Sequence, residues 1–562
     1  VVDKIQETPS FGQRATNWED THDGLIRTLY YMLTSAFHRL NNVLPEDGSE
    51  DMAAPLPLQE VATADLPSAA LWEGGLVYDT TRNRVLYSDG STWLSPGSQP
   101  WLYAADYGVD ASNSAATNTT AMNACLTAAA ALGGARIYMP RGQLNFNAWD
   151  TITTNAIEIH GMGDYSGGTE LRFAHATGDS ITLSTSGHQC LKDLFISSSV
   201  YKTSGYAIKI TGGAFSPRIE NVRIDYHHNG IWVHDTAEPY IRRIRMRYMH
   251  GTQGIYVGGT SSSDAVFGCT IDYFNADNPY PLTYGTFKTW AISTAFSLND
   301  IIQNNGNIYQ CSTAGTSSGA GTGPSGIPGS GTPDAAFTTT ITDGTAVWKF
   351  VASGSLAWYI QDNYAYSCAC NDSALLNGGY GVRMIDTAAT GTSYPTWLNS
   401  TNLELDHNLN MGADLAAGEG FFAQGFWQGS CIAGSGVTIG ASFRGETTIG
   451  MGSRILGNYT HGVLVQAGPV ATNISDSVIA LNGQAAAATY NNISLADNAA
   501  RVCISDNFIG YAASGSGQAA YGVYGGAGVA RIIVTGNDLG GNATGGTNLA
   551  TGGTLIIEHN NV

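Results

Sequence analysis

The chain has 562 residues, 70 of them Gly, with 12% charged and 43% hydrophobic. Its formal net charge of −20 lacks the basic footprint that nucleic acid or an anionic membrane requires. The same charge disfavours a strongly anionic polysaccharide unless arginines are gathered locally, and the sparse charge and abundant Gly, Asn, Ser and Thr suit a long, turn-rich β architecture.

Residues 1–16 are polar and carry Pro9 and Gly12, which predicts an irregular arm. Asn17 to Leu44 predicts a helix: Asn17 and Asp20 resemble a capping box, and Ile26, Tyr30, Leu33, Phe37, Leu40 and Leu44 recur at coiled-coil spacing. Leu25, Leu29, Met32 and Ala36 add a second apolar stripe, so the helix must bury both in a trimer seam, on a larger particle or against its own domain. Pro45 ends it. Residues 46–70 are an acidic, Pro/Ala-rich linker, and 71–100 alternate around Asp79–Asn83 and Asp89-Gly90 as a compact β unit.

Tyr103 to Val109 reads as extended, followed by a polar loop and a short helix with an Ala/Met/Leu/Cys interior over Ala121–Leu132. Gly133-Gly134 stops that helix, and Ala135–Met139 continues as a strand ended by Pro140-Arg141-Gly142. From Asn155 the chain repeats. Ile157-Glu158-Ile159, Ile181-Thr182-Leu183, Ile208-Lys209-Ile210, Ile231-Trp232-Val233 and Ile255-Tyr256-Val257 begin 24, 27, 23 and 24 residues apart. Near the C-terminus the period is 30, as in Ile474-Ser475-Asp476, Ile504-Ser505-Asp506 and Val534-Thr535-Gly536, closed by Ile557-Glu558-His559. Asn507, Asn537 and Asn560, with Ser477 before them, hold one turn position and predict a hydrogen-bonded ladder. Short β-branched strands at this period predict an all-β solenoid of stacked coils, and the preceding helix then caps its open end.

The solenoid occupies 101–284 and 353–562, interrupted by a compositionally distinct insert at 285–352 that reads as a small β module. Trp290, Tyr309 and Trp348 of the insert are candidates for stacking on sugar rings or, alternatively, its own core. Gly412–Gly452, rich in Gly and aromatics, has no clear coil register. The eight cysteines show no zinc-type spacing and read as buried reduced thiols, so neither a metal nor another cofactor is expected. No signal-peptide or transmembrane run is read in the chain.

In a β coil alternate residues face outward, and successive coils stack about 4.8 Å apart. Apolar pairs align Val222-Arg223-Ile224-Asp225 with Ile244-Arg245-Met246-Arg247, Cys269-Thr270-Ile271-Asp272, Cys368-Ala369-Cys370-Asn371 and Leu403-Glu404-Leu405-Asp406. One outward column then reads Asp225, Arg247, Asp272, Asn371, Asp406, and its neighbour Arg223, Arg245, Thr270, Ala369, Glu404. Trp232 and Tyr256 face outward from the next strand, where sugar rings could lie on them.

Glycoside hydrolysis needs one carboxylic acid to protonate the leaving oxygen and one carboxylate as base or nucleophile. Glu404 and Asp406 are two apart on a strand, roughly 6.6 Å between backbones, and paired charges would raise one pKa. Asp272 and Asp225, with Arg247 between, are the rival catalytic pair. A lyase would instead use Arg223, Arg245 or Arg247 to neutralise a uronate, with His227, His228 or His407 as base. Ordinary ion pairs or subunit contacts would also produce such columns.

Asp106-Tyr107-Gly108-Val109-Asp110, the Ala-rich helix, Gly133-Gly134 and Ile137-Tyr138-Met139-Pro140-Arg141-Gly142 resemble the entry of the pectate-lyase-like right-handed parallel β-helix superfamily. Within it, residues 101–562 look most like a bacteriophage tailspike or tail fibre. That resemblance implies a homotrimer on the virion, attached to the phage tail through residues 1–100, with a small adaptor at 71–100 and a carbohydrate-binding-like insert. It implies recognition of bacterial surface polysaccharide, for which the outward columns and aromatics offer Arg245, Arg247, Trp232 and Tyr256 as binding residues. Hydrolysis by a carboxylate pair is the favoured chemistry; a non-catalytic adhesin, a lyase and a secreted pectinolytic enzyme are the alternatives.

Overall fold

The computed structural model describes residues 58–562 except 82–83, 89, 91–92, 95–100, 166, 185–186, 279–286, 328–331, 333, 388–394, 407, 429–434, 451, 468–470, 487, 511–518 and 550–555. The expected arm, the helix at 17–44 and residues 46–57 of the linker lie outside the described residues, as do His407 and Cys431.

Gln59–Val61, Leu76–Asp79, Arg84–Ser88 and Trp93–Leu94 form a separate four-stranded sheet around Val61, Val77 and Leu86. Its buried Asp79 carboxylate is held by the Thr63 hydroxyl at 2.7 and 2.8 Å and the Thr81 amide at 2.9 Å.

Helix α1, Ala115–Ala131, starts at Ser114, whose hydroxyl accepts from the Thr117 amide. It ends where Gly133 and Gly134 take φ of 72° and 133°, a turn that L side chains adopt only with strain. Its buried face of Ala121, Met122, Cys125, Leu126 and Ala129 belongs to the solenoid's core, closing the first coil as a cap.

The remainder is a right-handed parallel β-helix of about 13 coils. Each coil runs through sheet A, a one-residue bend, sheet B, a corner, sheet C and a second corner. Sheet A contains Ile157–His160 and the first halves of Gln189–Ser198, Arg218–Asp225, Tyr240–Arg247 and Thr270–Asp277. Sheet B contains Thr169–Phe173, the second halves of those long strands, and Ala374–Leu376. Sheet C contains Ile181–Ser184, Tyr206–Thr211, Asn229–Val233, Gln253–Val257, Ala357–Gln361 and Tyr380–Met384.

Inward residues stack like on like. Ile159, Leu191, Ile219, Ile241, Ile271 and Cys370 form one fully buried column, each worth about 1.5–3 kcal/mol of burial for a branched aliphatic side chain. The bend between sheets A and B is left-handed in every such coil, at Asp193, Asn221, Arg243 and Tyr273 and later at Asp372 and Asn402. Asn and Asp suit that conformation, and their side chains bond coil to coil: Asn221 donates to Asp193 at 2.6 Å and Asn402 to Asp372 at 3.0 Å.

Four sequence expectations are corrected. The stretch from Tyr103 to Val109 is not extended: the strand Trp101–Tyr103 ends where it begins, and Ala104–Tyr107 is a 3-10 turn closed by left-handed Gly108. The C-terminal ladder is Ser477, Asn507, Asn537 and Asn561, the side-chain oxygen of each Asn accepting the previous member's amide at 3.0–3.1 Å, so Asn561 replaces Asn560. The last strand pairs Thr535 with His559, one residue off the apolar alignment, which turns Ile557 outward. Gly412–Gly452 has a coil register after all: Met411–Gln428 and Val437–Ile449 are long strands in the same ladder, interrupted by register shifts.

The insert leaves the end of sheet B after Asn278 and folds its own five-stranded sheet from Phe287–Thr289, Ile301–Asn304, Asn307–Thr313, Thr340–Asp343 and Ala346–Ser353. It rests on the B–C corner, with Tyr201 against its core and Phe337 edge-on to Tyr248 at 5.5 Å.

Candidate functional site

The true register moves the acidic residues. Arg245 pairs with Asn275 and Arg247 with Asp277, while Asp272 pairs with Arg242 on sheet A. Glu404 and Asp406 pair with Ala374 and Leu376, not with Ala369 and Asn371. Asp272 and Asp225 therefore do not share a column, because the same apolar-x-apolar pattern occurs on both sides of the bend and a five-residue slide satisfies it equally. The sheet B columns read Arg223, Arg245, Asn275, Ala374, Glu404 and Asp225, Arg247, Asp277, Leu376, Asp406. Asp277, absent from the sequence alignment, occupies the place assigned to Asp272.

Arg223 binds Asp225 from two residues away, with Nε to Oδ2 at 2.9 Å, and lies over the Phe195 ring at 4.5 Å. Asp225 is fully buried, and burial pushes its pKa up against the pull of Arg223, Arg247 and Arg245. Its Oδ1 has no hydrogen-bond partner among the described residues, and neither does the buried Nε of Arg245 or of Arg247. The Arg247 guanidinium stands 3.7 Å from Asp277, whose carboxylate also accepts from Asn377 at 2.7 Å.

Three coils beyond Arg247, Glu404 is exposed and Asp406 half-buried on the outer face of Leu398–Asp406. Burial, then the Asp406 charge, raises the Glu404 pKa. A carboxyl whose pKa is raised by a neighbouring carboxyl is one electrostatic element of a proton donor and its partner.

Sheet C presents an aromatic ladder. Trp232 lies between Tyr206 at 5.4 Å and Tyr256 at 5.9 Å, stacks on His234 at 4.0 Å and carries the Lys209 ammonium 4.5 Å from its centre. Tyr256 is only 7% exposed and donates to Asp362 at 2.6 Å, a carboxylate that Thr387 also caps at 2.5 Å. These rings occupy one another's faces, so as they stand they form an outer cluster rather than an open platform. Nearby, His234 approaches Asp264 at 3.4 Å and Arg383 pairs with Asp414 at 3.1 Å.

In the insert, Tyr309 and Trp348 are fully buried with Phe296, Ile302 and Phe350, so they are its core and offer no face to a sugar. A module this small needs its large aromatics inside. Trp290 is half-buried and donates to Asp343 at 2.8 Å.

His227 is likewise no free base. It is fully buried, with Nε2 3.1 Å from the Ser180 hydroxyl, and Lys202 reaches both that hydroxyl at 3.1 Å and His175 at 2.7 Å. His250 contacts the Lys202 carbonyl at 2.5 Å and stacks on Tyr201 at 4.5 Å. Burial lowers Lys202 to about 7, and His175 and His250 to about 4. The sequence signal for this polar corner was a His or Lys at the end of sheet B in successive coils, legible only once the coil boundaries are known. Among the described residues no group of His, Cys, Asp and Glu has the arrangement of a metal site.

No protein-family profile matches the chain, and no curated protein sequence does. Among solved structures it is similar to the Azotobacter vinelandii mannuronan C-5 epimerase AlgE4 A-module (TM-score 0.47, 12% identity, 81% of this chain and 99% of that one). It is also similar to the catalytic unit of a GH87 alpha-1,3-glucanase from Streptomyces thermodiastaticus (TM-score 0.37, 13% identity, 83% and 70%). A third is bacteriophage CBA120 tailspike protein 3 (TM-score 0.37, 11% identity, 82% and 61%). At these identities the likeness is one of fold.

Proposed function

We propose that the protein is a phage tailspike or tail fibre that binds a bacterial surface polysaccharide along sheet B and hydrolyses it with Glu404 and Asp406. The observation that carries this reading is the pair itself: two carboxyls on one outer β face, the first held toward its protonated form beside the second. Glu404 donates the proton to the leaving glycosidic oxygen, and Asp406 serves as base or nucleophile. Their backbones, roughly 6.6 Å apart, allow a retaining separation of about 5 Å or an inverting one of about 6.5–9.5 Å. Arg245 and Arg247 lie toward the N-terminal end of the same columns, as binding residues for the glycan. In this reading the chain acts as a homotrimer on the virion, attached through residues 1–100.

A second reading, lyase chemistry, draws on Arg245, whose buried Nε is unpartnered among the described residues and could neutralise a uronate carboxylate. The products decide. Purified surface polysaccharide incubated with the protein should yield shorter chains with new reducing ends and no unsaturated sugar. Unsaturated uronate ends would select the lyase, and binding without shortening an adhesin.

A further inference from the structure

The corner between sheets C and A is a small parallel sheet of its own, Ala214–Phe215, Thr236–Ala237, Val266–Phe267 and Ala365–Tyr366. Its register places Phe215, Ala237, Phe267 and Tyr366 in one outward column. Phe267 and Tyr366 stack at 5.0 Å with 19° between their planes, so the Phe267 ring faces along the coil axis and its other face looks toward Ala237. Phe215 meets His188 of the preceding coil in a T-shaped contact at 5.8 Å with 72° between their planes, so of the two rings only Phe267 has its face toward the slot fixed by stacking. Phe215 is 46% and Phe267 54% exposed. Two coil steps separate them, roughly 9.6 Å, with only a methyl group between. A ring placed midway would sit about 4.8 Å from each, inside the range of stacking contacts.

Beside Phe215, and sharing Ser216 with this corner, a groove of about 480 Å³ opens on the first coils of sheet A. The small Cys190 between Glu158 and Arg218 leaves it hollow. Arg136, Lys192 and Arg218 line it against Glu158 and Glu220, and Glu158 is already taken by Arg136 at 2.7 Å and His160 at 3.2 Å. Among the described residues Lys192, Arg218 and Glu220 are in no ion pair; Lys192 is the register neighbour of Glu220, which leaves Arg218 as the surplus positive charge of the groove on a chain of net charge −20.

We propose that this corner and groove are a second glycan-binding site, which holds one pyranose ring between Phe215 and Phe267 and an acidic substituent of the same chain beside Lys192 and Arg218. The slot supplies the Phe267 face on one side and the exposed Phe215 ring on the other. The exposed Glu238 carboxylate, which accepts from Ser216 at 3.3 Å, lies next to it to accept sugar hydroxyls. The slot lies at the corner between sheets C and A and the groove on sheet A, so the site is separate from the sheet B carboxylates and does not depend on their chemistry.

The test titrates the full chain calorimetrically with oligosialic acid, hyaluronan and oligomannuronate fragments, and with maltohexaose as a neutral probe. At least one acidic fragment should bind, and the Phe215→Ala/Phe267→Ala pair should weaken it at least tenfold. Ala237→Trp, which fills the slot from an exposed corner, should do the same. Lys192→Ala/Arg218→Ala should remove the preference for acid over neutral. Equal affinity for maltohexaose, binding of none of the probes, or slot variants that fold normally and bind like the parent would overturn the proposal.

Discussion

Arg247 reaches Asp277 across one coil step at 3.7 Å, while Asn377 of the next coil donates to the same carboxylate at 2.7 Å. One carboxylate thus ties three successive coils together on the outer face of sheet B. Burial raises its pKa, and Asn377 and the arginines oppose that. The same tension between desolvation and guanidinium charge governs Asp225 one coil before Arg247.

Arg223→Ala removes the only hydrogen-bond partner of the buried Asp225 carboxylate among the described residues. It should destabilise the chain by about 1–3 kcal/mol, the cost of leaving a buried acceptor without a hydrogen bond while Arg247 and Arg245 still face it. Thermal melting checks this. Adding Asp225→Asn to Arg223→Ala should recover part of the loss, because a neutral amide is cheaper to bury.

The Asn ladder gives a second stability test. Asn537 is buried, accepts the Asn507 amide at 3.0 Å and donates to the Ile504 carbonyl at 2.9 Å. Asn537→Ala leaves those groups unsatisfied and should cost about 1–3 kcal/mol for each, read from chemical denaturation. Asn561→Ala, at the more open last coil, should cost less.

The Lys202 corner makes stability depend on pH. Its folded pKa of about 7 lies below the unfolded value of about 10.4, so the unfolded chain binds more protons between them. Stability should therefore rise with pH through that window, the burial penalty being complete below about 7 and gone above about 10.4. Comparing melting temperatures from neutral to alkaline pH, Lys202→Met should lack this rise. His175 and His250, lowered to about 4 by burial and by the Lys202 charge, add a rise up to about 6.5 that Lys202→Met should keep in its burial part.

The fold was legible because inward positions such as Ile157, Ile181, Ile208, Ile231 and Ile255 repeat whatever their neighbours are. Register was not. The strand Tyr240–Arg247 carries Ile241 before its bend and Ile244 and Met246 after it, so either half can be laid on Ile271. Only the left-handed residue at Arg243 fixes the choice, and an arginine does not announce that conformation in sequence as Asn221 does. Outward aromatics posed the same difficulty: nothing in composition separates the buried Trp348 from the exposed Phe267.

Coupling within the proposed pair is measurable without substrate. Asp406→Asn removes a like charge from beside Glu404 and should lower the Glu404 pKa, seen as a lower carboxyl titration midpoint by carbon NMR. An unchanged midpoint would mean that burial alone sets it and that the two carboxyls act separately.

The most direct measurement is the rate of reducing-end release from purified surface polysaccharide by the parent chain and by Glu404→Gln. The account predicts steady release by the parent and a loss of about 10²–10⁴-fold in the variant, with melting temperature unchanged. Release at the parental rate by folded Glu404→Gln would contradict it.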